Sequence, residues 1–225
     1  MDFEQWRRLS ESSADIAAVR ELDAALSANK DIHYEPDPTG RFETALTAGK
    51  VWCLRENGQV VAFVHIEEFR NENKKKYTPK ESTVEIAAVA VHPELHGRGR
   101  GSRLVRHCLA HIDSDRRLVW ATVSPRNVFM LGILFKHGFV ASTYLSNYIN
   151  GKDRVLLQRP TFRPVDSEDM SIVSLDKLPE VLADSRVVVT GTIGRGSGQT
   201  FTLKRWPPSV VPLLVQEADL DDLRQ

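Results

Sequence analysis

Between residues 84 and 107 the chain runs VEIAAVAVHPELHGRGRGSRLVRH, and this stretch limits the possible fold more than any other. A run rich in Val and Ala ends at Pro93, and a short polar link leads to glycines at 97, 99 and 101. An amphipathic segment follows, so the order predicted is strand, glycine loop, helix. Glycine lets a backbone bend freely and approach a ligand closely. A helix N-terminus adds unsatisfied N–H groups and the positive end of a dipole. Arg98, Arg100, Arg103 and Arg106, with no acid among them, supply charge suited to phosphate oxygens. The stretch is expected to hold a phosphorylated ligand.

Charge balance narrows the choice of ligand. The 30 Lys and Arg are cancelled by 30 Asp and Glu, which argues against a protein that mainly coats nucleic acid or an anionic membrane. An RNA-contacting reading of HGRGRGSRLVRH fails on the same balance and on the lack of interleaved aromatics. With 41% hydrophobic residues, the 225-residue chain can bury a real core as one large domain or as one domain plus an appendage. Cys53 and Cys108 lie in apolar contexts without CxxC spacing, so buried free thiols are expected and a metal site is not. No apolar stretch nears the roughly 20 residues of a membrane span. The opening MDFEQWRRLS lacks the apolar core of a signal peptide, which makes the cytoplasm the expected location.

In chain order, Ile16, Val19, Leu22 and Leu26 recur at helical spacing. A second short helix is predicted over 40–49, stopped by Gly49. The β-rich runs 51–55 and 60–69 flank Asn57-Gly58, a strong hairpin signal. Residues 71–82 (NENKKKYTPKES) read as a basic loop, either a solvated connection or a flap that meets an acidic partner. The run 118–123 (LVWATV) is apolar throughout, as buried strands are, and VFMLGILFKHGF is a nearly all-apolar helix ended by Gly138. Residues 140–149 and 154–158 form a second hairpin through Asn150-Gly151. Alternating strands and helices around a mixed sheet predict an α/β (α+β) core over 1–160.

Beyond Pro160 the pattern changes to an acidic, helix-like patch, a hairpin-like pair at 187–193 and 199–203, and a Pro-rich tail with an acidic helix at 217–223. Residues 161–225 are expected to form a small accessory subdomain. Its glycines (VVVTGTIGRGSG) lack the Lys-Ser/Thr ending of a P-loop and the apolar helix that should follow, so a hairpin turn is expected there.

With Ala90-Val91-His92-Pro93 followed by His96-Gly97-Arg98-Gly99-Arg100-Gly101, and with Asn127, Gly138 and Phe139 at matching spacing, the chain resembles the GNAT superfamily of N-acetyltransferases. The family's blocks are Q/R-x-x-G-x-G/A after a strand ending A-V-x-P, and N-x-x-A-x-x-L-Y-x-x-x-G-F. The resemblance implies the GNAT acyl-CoA N-acyltransferase fold and transfer of an acetyl group from acetyl-CoA to an amine of a small molecule or peptide. It implies that backbone groups of Val89 and Val91 pair with the pantetheine arm, one of the Val91 groups also polarising the thioester carbonyl. The N–H groups of Gly97, Arg98, Gly99, Arg100, Gly101 and Ser102 would cradle the pyrophosphate, and Asn127 would bind the pantetheine portion. Arg98, Arg100 or Arg103 would hold the 3′-phosphate.

Three positions depart from the family pattern: His96 replaces Gln or Arg, Met130 replaces a small residue, and Leu134 stands where the acid tyrosine usually lies. A non-catalytic acyl-CoA-binding sensor or scaffold is the alternative these departures keep open. The late hairpin and appendage could also form a homodimer contact.

Amine attack requires a proton acceptor. Glu85 interrupts an apolar strand and shares the face of Ala87, Val89 and Val91 by period two, so it is the first candidate base, against the alternative of a glutamate paired with a neighbouring cation. His65, Glu67 and Glu68 are second choices. Tyr144 and Tyr148, on one face by period two, are candidates for the missing acid.

Overall fold

Asn57 and Gly58 both take positive φ, 51° and 80°, the conformation a two-residue type I′ hairpin demands. The turn joins β2 (Val51–Glu56) to β3 (Gln59–Phe69), paired antiparallel with Cys53 opposite Phe63 and Val51 opposite His65. The coordinates are a computed structural model, which describes residues 5–8, 13–29, 34, 40–69, 83–112, 118–159, 168–184, 186–194 and 198–205. The 71–82 loop, the Pro-rich tail and its acidic helix lie outside the described residues.

The chain divides into two compact units, Met1–Glu68 with Val84–Asp115, and Phe69–Thr83 with Arg116–Gln225. In the first unit the strand order is β1 (Gln5–Arg8), β2, β3 and β4 (Thr83–Val91). Strand β1 pairs antiparallel with β2, an addition for which QWRR carries no periodic signal. Helices α1 (Ser13–Ala28) and α2 (Arg41–Thr47) bring Val19, Leu22, Leu26, Phe42, Ala45 and Leu46 into one buried cluster with Val51, Cys53, Phe63 and Ala90. Burying each large apolar side chain is worth about 1.5–3 kcal/mol, so this cluster fixes α2 over the sheet. Helix α3 (Arg100–Ile112) buries Leu104, Val105, Cys108, Leu109 and Ile112, the apolar stripe of its sequence.

In the second unit the order is β5 (Leu118–Val123), β7 (Lys152–Arg159), β6 (Val140–Ile149), β9 (Val187–Ile193), β10 (Thr200–Arg205) and β8 (Glu168–Ser174). Asn150 and Gly151 again have positive φ, 52° and 69°, at the β6–β7 turn. Helix α4 (Val128–Lys136) buries Leu131 and Leu134, and Gly138 ends it at φ 85°. The acidic patch expected to be helix-like forms mostly strand. Residues 168–174 pair antiparallel with β10, and only Leu178–Val181 makes a short helix, α5. The β-branched Ile172 and Val173 suit a ladder better than a helix. Strands β9 and β10 form the expected hairpin, with Ile193 opposite Thr200. Strand β9 also pairs with β6, Val189 opposite Ala141, so chain beyond Pro160 shares that sheet.

Candidate functional site

Strand β4 carries the first-choice base. Glu85 is buried, its side chain 3% exposed, and Arg41 Nη1 donates to its Oε2 at 3.3 Å. A carboxylate taken from water requires such a partner, and α2 supplies it from 44 residues away. The pairing the sequence left open as an alternative is therefore present, and helix α2 supplies the cation.

On β3, His65 is wholly buried and its Nε2–H donates to Glu67 Oε1 at 2.8 Å, while Lys50 Nζ donates to Glu67 Oε2 at 2.7 Å. Burial acts to raise the Glu67 pKa, but the bonds and charges of His65 and Lys50 outweigh it and leave the carboxyl at about 2. Such a group binds protons weakly and makes a poor base at neutral pH. The Glu68 side chain lies outside the described residues.

Where β4 ends, Pro93–Leu95 form one 3-10 turn, and the chain then reverses through Gly97 and Gly99 at φ 75° and 77°. A side chain at either position would be strained by that φ, although a Cβ built there meets nothing within 4 Å. The backbone thus presents itself in open space. The first bond into α3 runs from Arg103 N–H to Gly99 O, 3.0 Å, so the N–H groups of Arg100–Ser102 form the helix N-terminus. No acid occupies the first turn of α3, and Arg98 and Arg103 are exposed. This loop fits an anionic ligand such as a pyrophosphate.

Arg100 is already engaged. Its Nε and Nη2 donate to Glu56 Oε1 and Oε2 at 2.7 and 2.8 Å, tying the start of α3 to the β2–β3 hairpin. These bonds hold the Glu56 carboxyl below its ordinary range against partial burial, with help from the charges of Arg103 and Arg98. Arg100, one of the three arginines expected to reach a 3′-phosphate, is thus committed to a carboxylate.

The remaining expected residues lie in the second unit. Asn127 is the N-cap of α4, its Oδ1 accepting from Met130 N–H at 3.0 Å. Leu134 is fully buried. Tyr144 donates its hydroxyl to Asp153 at 2.7 Å, and burial together with that carboxylate raises its pKa to about 12. Tyr148 packs with Trp120, Leu145 and Leu156. The two tyrosines do not share one environment, because β6 has an irregularity between Leu145 and Ile149, with Asn147 at φ 53°. That extra turn of the backbone breaks the period-two alternation. Cys53 and Cys108 are buried free thiols, and burial pushes Cys108 up to about 12. Sequence reasoning missed Arg41, Lys50 and Glu56, the partners that only folding brings to Glu85, Glu67 and Arg100; no local pattern announces such pairs.

Residues 17–139 match the Acetyltransferase (GNAT) family. The chain belongs to that family. Its mixed α/β architecture is the GNAT acyl-CoA N-acyltransferase fold. Similar solved structures include a chain of the NatC complex bound to Gag peptide and CoA, at TM-score 0.58 and 16% identity, covering 71% of this chain and 99% of that one. Naa50 of Arabidopsis thaliana, in complex with the bisubstrate analogue CoA-Ac-MVNAL, aligns at TM-score 0.54 and 18% identity, covering 69% and 97%. The ribosomal-protein-S18-alanine N-acetyltransferase of Escherichia coli aligns at TM-score 0.53 and 18% identity, covering 73% and 97%. No curated protein matches the chain by sequence. At these identities the solved GNAT structures speak for the fold alone. Among the described residues no helix of this GNAT chain is long and apolar enough to cross a membrane, and no group of three metal-ligating side chains occurs.

Proposed function

We propose that this GNAT chain transfers an acetyl group from acetyl-CoA to an amine by direct attack on the thioester. The observation that carries the reading is the open glycine loop, with Gly97 and Gly99 at positive φ between the end of β4 and the N-terminus of α3. Its N–H groups and the exposed Arg98 and Arg103 would hold the pyrophosphate and 3′-phosphate, and the backbone of Val89 and Val91 would align the pantetheine arm. Bound acetyl-CoA would supply an activated acyl carbon and a good thiolate leaving group. A Val91 backbone group would stabilise charge on the thioester oxygen.

Glu85 would accept the proton of the attacking amine. Its place on β4, on the face of Val89 and Val91, puts it beside the proposed acyl site, whereas Glu67, with a pKa of about 2, has little affinity for a proton. Arg41 would have to loosen its hold on Glu85, or share it, as the proton arrives. Tyr144 would give its hydroxyl proton to the departing thiolate, exchanging the bond it makes to Asp153, although its raised pKa makes it a weak acid for that step. The acceptor would be a primary amine of a small molecule or peptide. Residues 1–160 would form the acetyltransferase domain and 161–225 an accessory segment that extends the sheet of the second unit through the β6–β9 pairing.

The test is release of free CoA from acetyl-CoA across a panel of amines and peptide N-termini. No thermal shift with millimolar acetyl-CoA would sink the reading. Leu134, buried where the family carries an acid, favours a second reading, a non-catalytic acyl-CoA sensor. Binding of acetyl-CoA without turnover of any amine would select it.

A further inference from the structure

His96 stands where the GNAT pattern has Gln or Arg, and its ring does not point idly into solvent. Its Nε2–H donates to the Val91 carbonyl at 2.8 Å. The same peptide unit is held at its other end, because His92 N–H donates to Val61 O on β3, also at 2.8 Å. A peptide unit is planar, so bonds at its C=O and its N–H together fix its orientation. Between this unit and α3 the chain runs through the 3-10 turn, His96, and Gly97 and Gly99 in left-handed conformations on either side of Arg98. Glycines are the least self-restrained residues of a chain. The far end of the loop is tied down by Arg100 on Glu56. On the strand side, the backbone of the 3-10 turn and the His96 side chain are what hold it to β4.

We infer that His96 is a positioning residue that sets the glycine loop against the end of β4 by donating to the Val91 carbonyl. The inference rests on the proposed acyl-CoA reading, in which Val91 and the loop hold different parts of one long ligand. A carbonyl only accepts, so the requirement at position 96 is an N–H donor long enough to reach back five residues. Neutral imidazole protonated on Nε2 meets it, and so does imidazolium; Gln amide and Arg guanidinium offer the same N–H. Ionised Glu offers no donor, and Ala and Leu offer none. One chemical requirement thus accounts for a position that accepts Gln, Arg or His. His96 is exposed, so water competes for the bond and substitution should leave the fold intact.

The test compares wild type with His96→Ala, His96→Leu, His96→Gln and His96→Arg in two measurements. Hydrogen exchange without ligand should quicken over residues 92–99 in the Ala and Leu variants and return toward wild type in Gln and Arg. Calorimetry should show acetyl-CoA affinity about five- to tenfold weaker in Ala and Leu, as for the loss of one net hydrogen bond, and restored in Gln and Arg. Binding of acetyl-pantetheine, which lacks the pyrophosphate, should change little. Unchanged exchange in Ala, or losses in Gln and Arg as large as those in Ala and Leu, would overturn the inference. Wild type that fails to bind acetyl-CoA overturns the acyl-CoA reading and the link to it, and the exchange data still decide whether the tether exists.

Discussion

Arg41 on α2 holds Glu85 on β4, Nη1 to Oε2 at 3.3 Å, with the carboxylate buried and the guanidinium half-buried. The pair couples the expected proton acceptor to a helix that the core cluster pins through Phe42, Ala45 and Leu46. Removing the cation leaves a buried carboxylate without this partner, and Arg41→Ala should destabilise the protein by about 1–3 kcal/mol. Chemical denaturation at neutral pH measures this. Equal stability of the variant would show that the ion pair contributes nothing.

Glu85→Gln tests the base itself. If Glu85 takes the amine proton, kcat should fall by about 10²-fold or more near neutral pH. The loss should shrink at high pH, where more of the amine is already neutral. A pH–rate profile parallel to wild type would remove Glu85 from the role.

Glu67 makes stability depend on acid. Its folded pKa of about 2 lies below the ordinary 4.5, so the native state binds the proton less readily than the unfolded chain. The stabilisation, on the order of 3 kcal/mol, is fully present above about pH 4.5 and drains away as pH falls toward 2. Glu67→Gln should flatten the stability curve over that window. Denaturation midpoints from pH 6 to pH 2 would reveal a wild-type slope that the variant lacks, and identical slopes would contradict it.

Gly97→Ala and Gly99→Ala should each cost about 1–2 kcal/mol of stability, because φ near 75° disfavours any Cβ. No neighbouring atom stands in the way of the added methyl group. The larger effect should fall on acetyl-CoA binding, since the methyl group projects into the open space the ligand would fill. Thermal shift with and without acetyl-CoA separates the two losses. A normal ligand-induced shift in both variants would move the phosphate site elsewhere.

Cys108 should be inert in the native protein. Its pKa of about 12 leaves almost no thiolate at neutral pH, and it is buried on α3. A thiol reagent should modify it only after unfolding, and Cys108→Ala should keep acyl transfer. Rapid modification of the folded protein would argue for a nucleophile.

The family and the glycine turn between strand and helix were legible in residues 84–107, because glycine spacing, a proline stop and an apolar strand are local features with local physical causes. Both Asn-Gly hairpins, the apolar stripe of α3 and the buried thiols were read the same way. The second-unit strand at 168–174 was not, since its acidic residues masked a ladder that exists only once β10 lies beside it. The tyrosine face failed for a related reason: Asn147 takes a left-handed φ, and period two cannot foresee an irregularity.

Linear order thus determined where the strand ends, where the loop turns and which residues offer charge to an anion. Tertiary structure alone decided how those charges are spent: Arg100 on Glu56, Arg41 on Glu85, Lys50 and His65 on Glu67, and His96 on the Val91 carbonyl. Hydrogen bonds and ion pairs act over about 3 Å in space regardless of separation along the chain. Arg41 and Glu85 are 44 residues apart, and nothing in a string of letters brings them together before the helix packs.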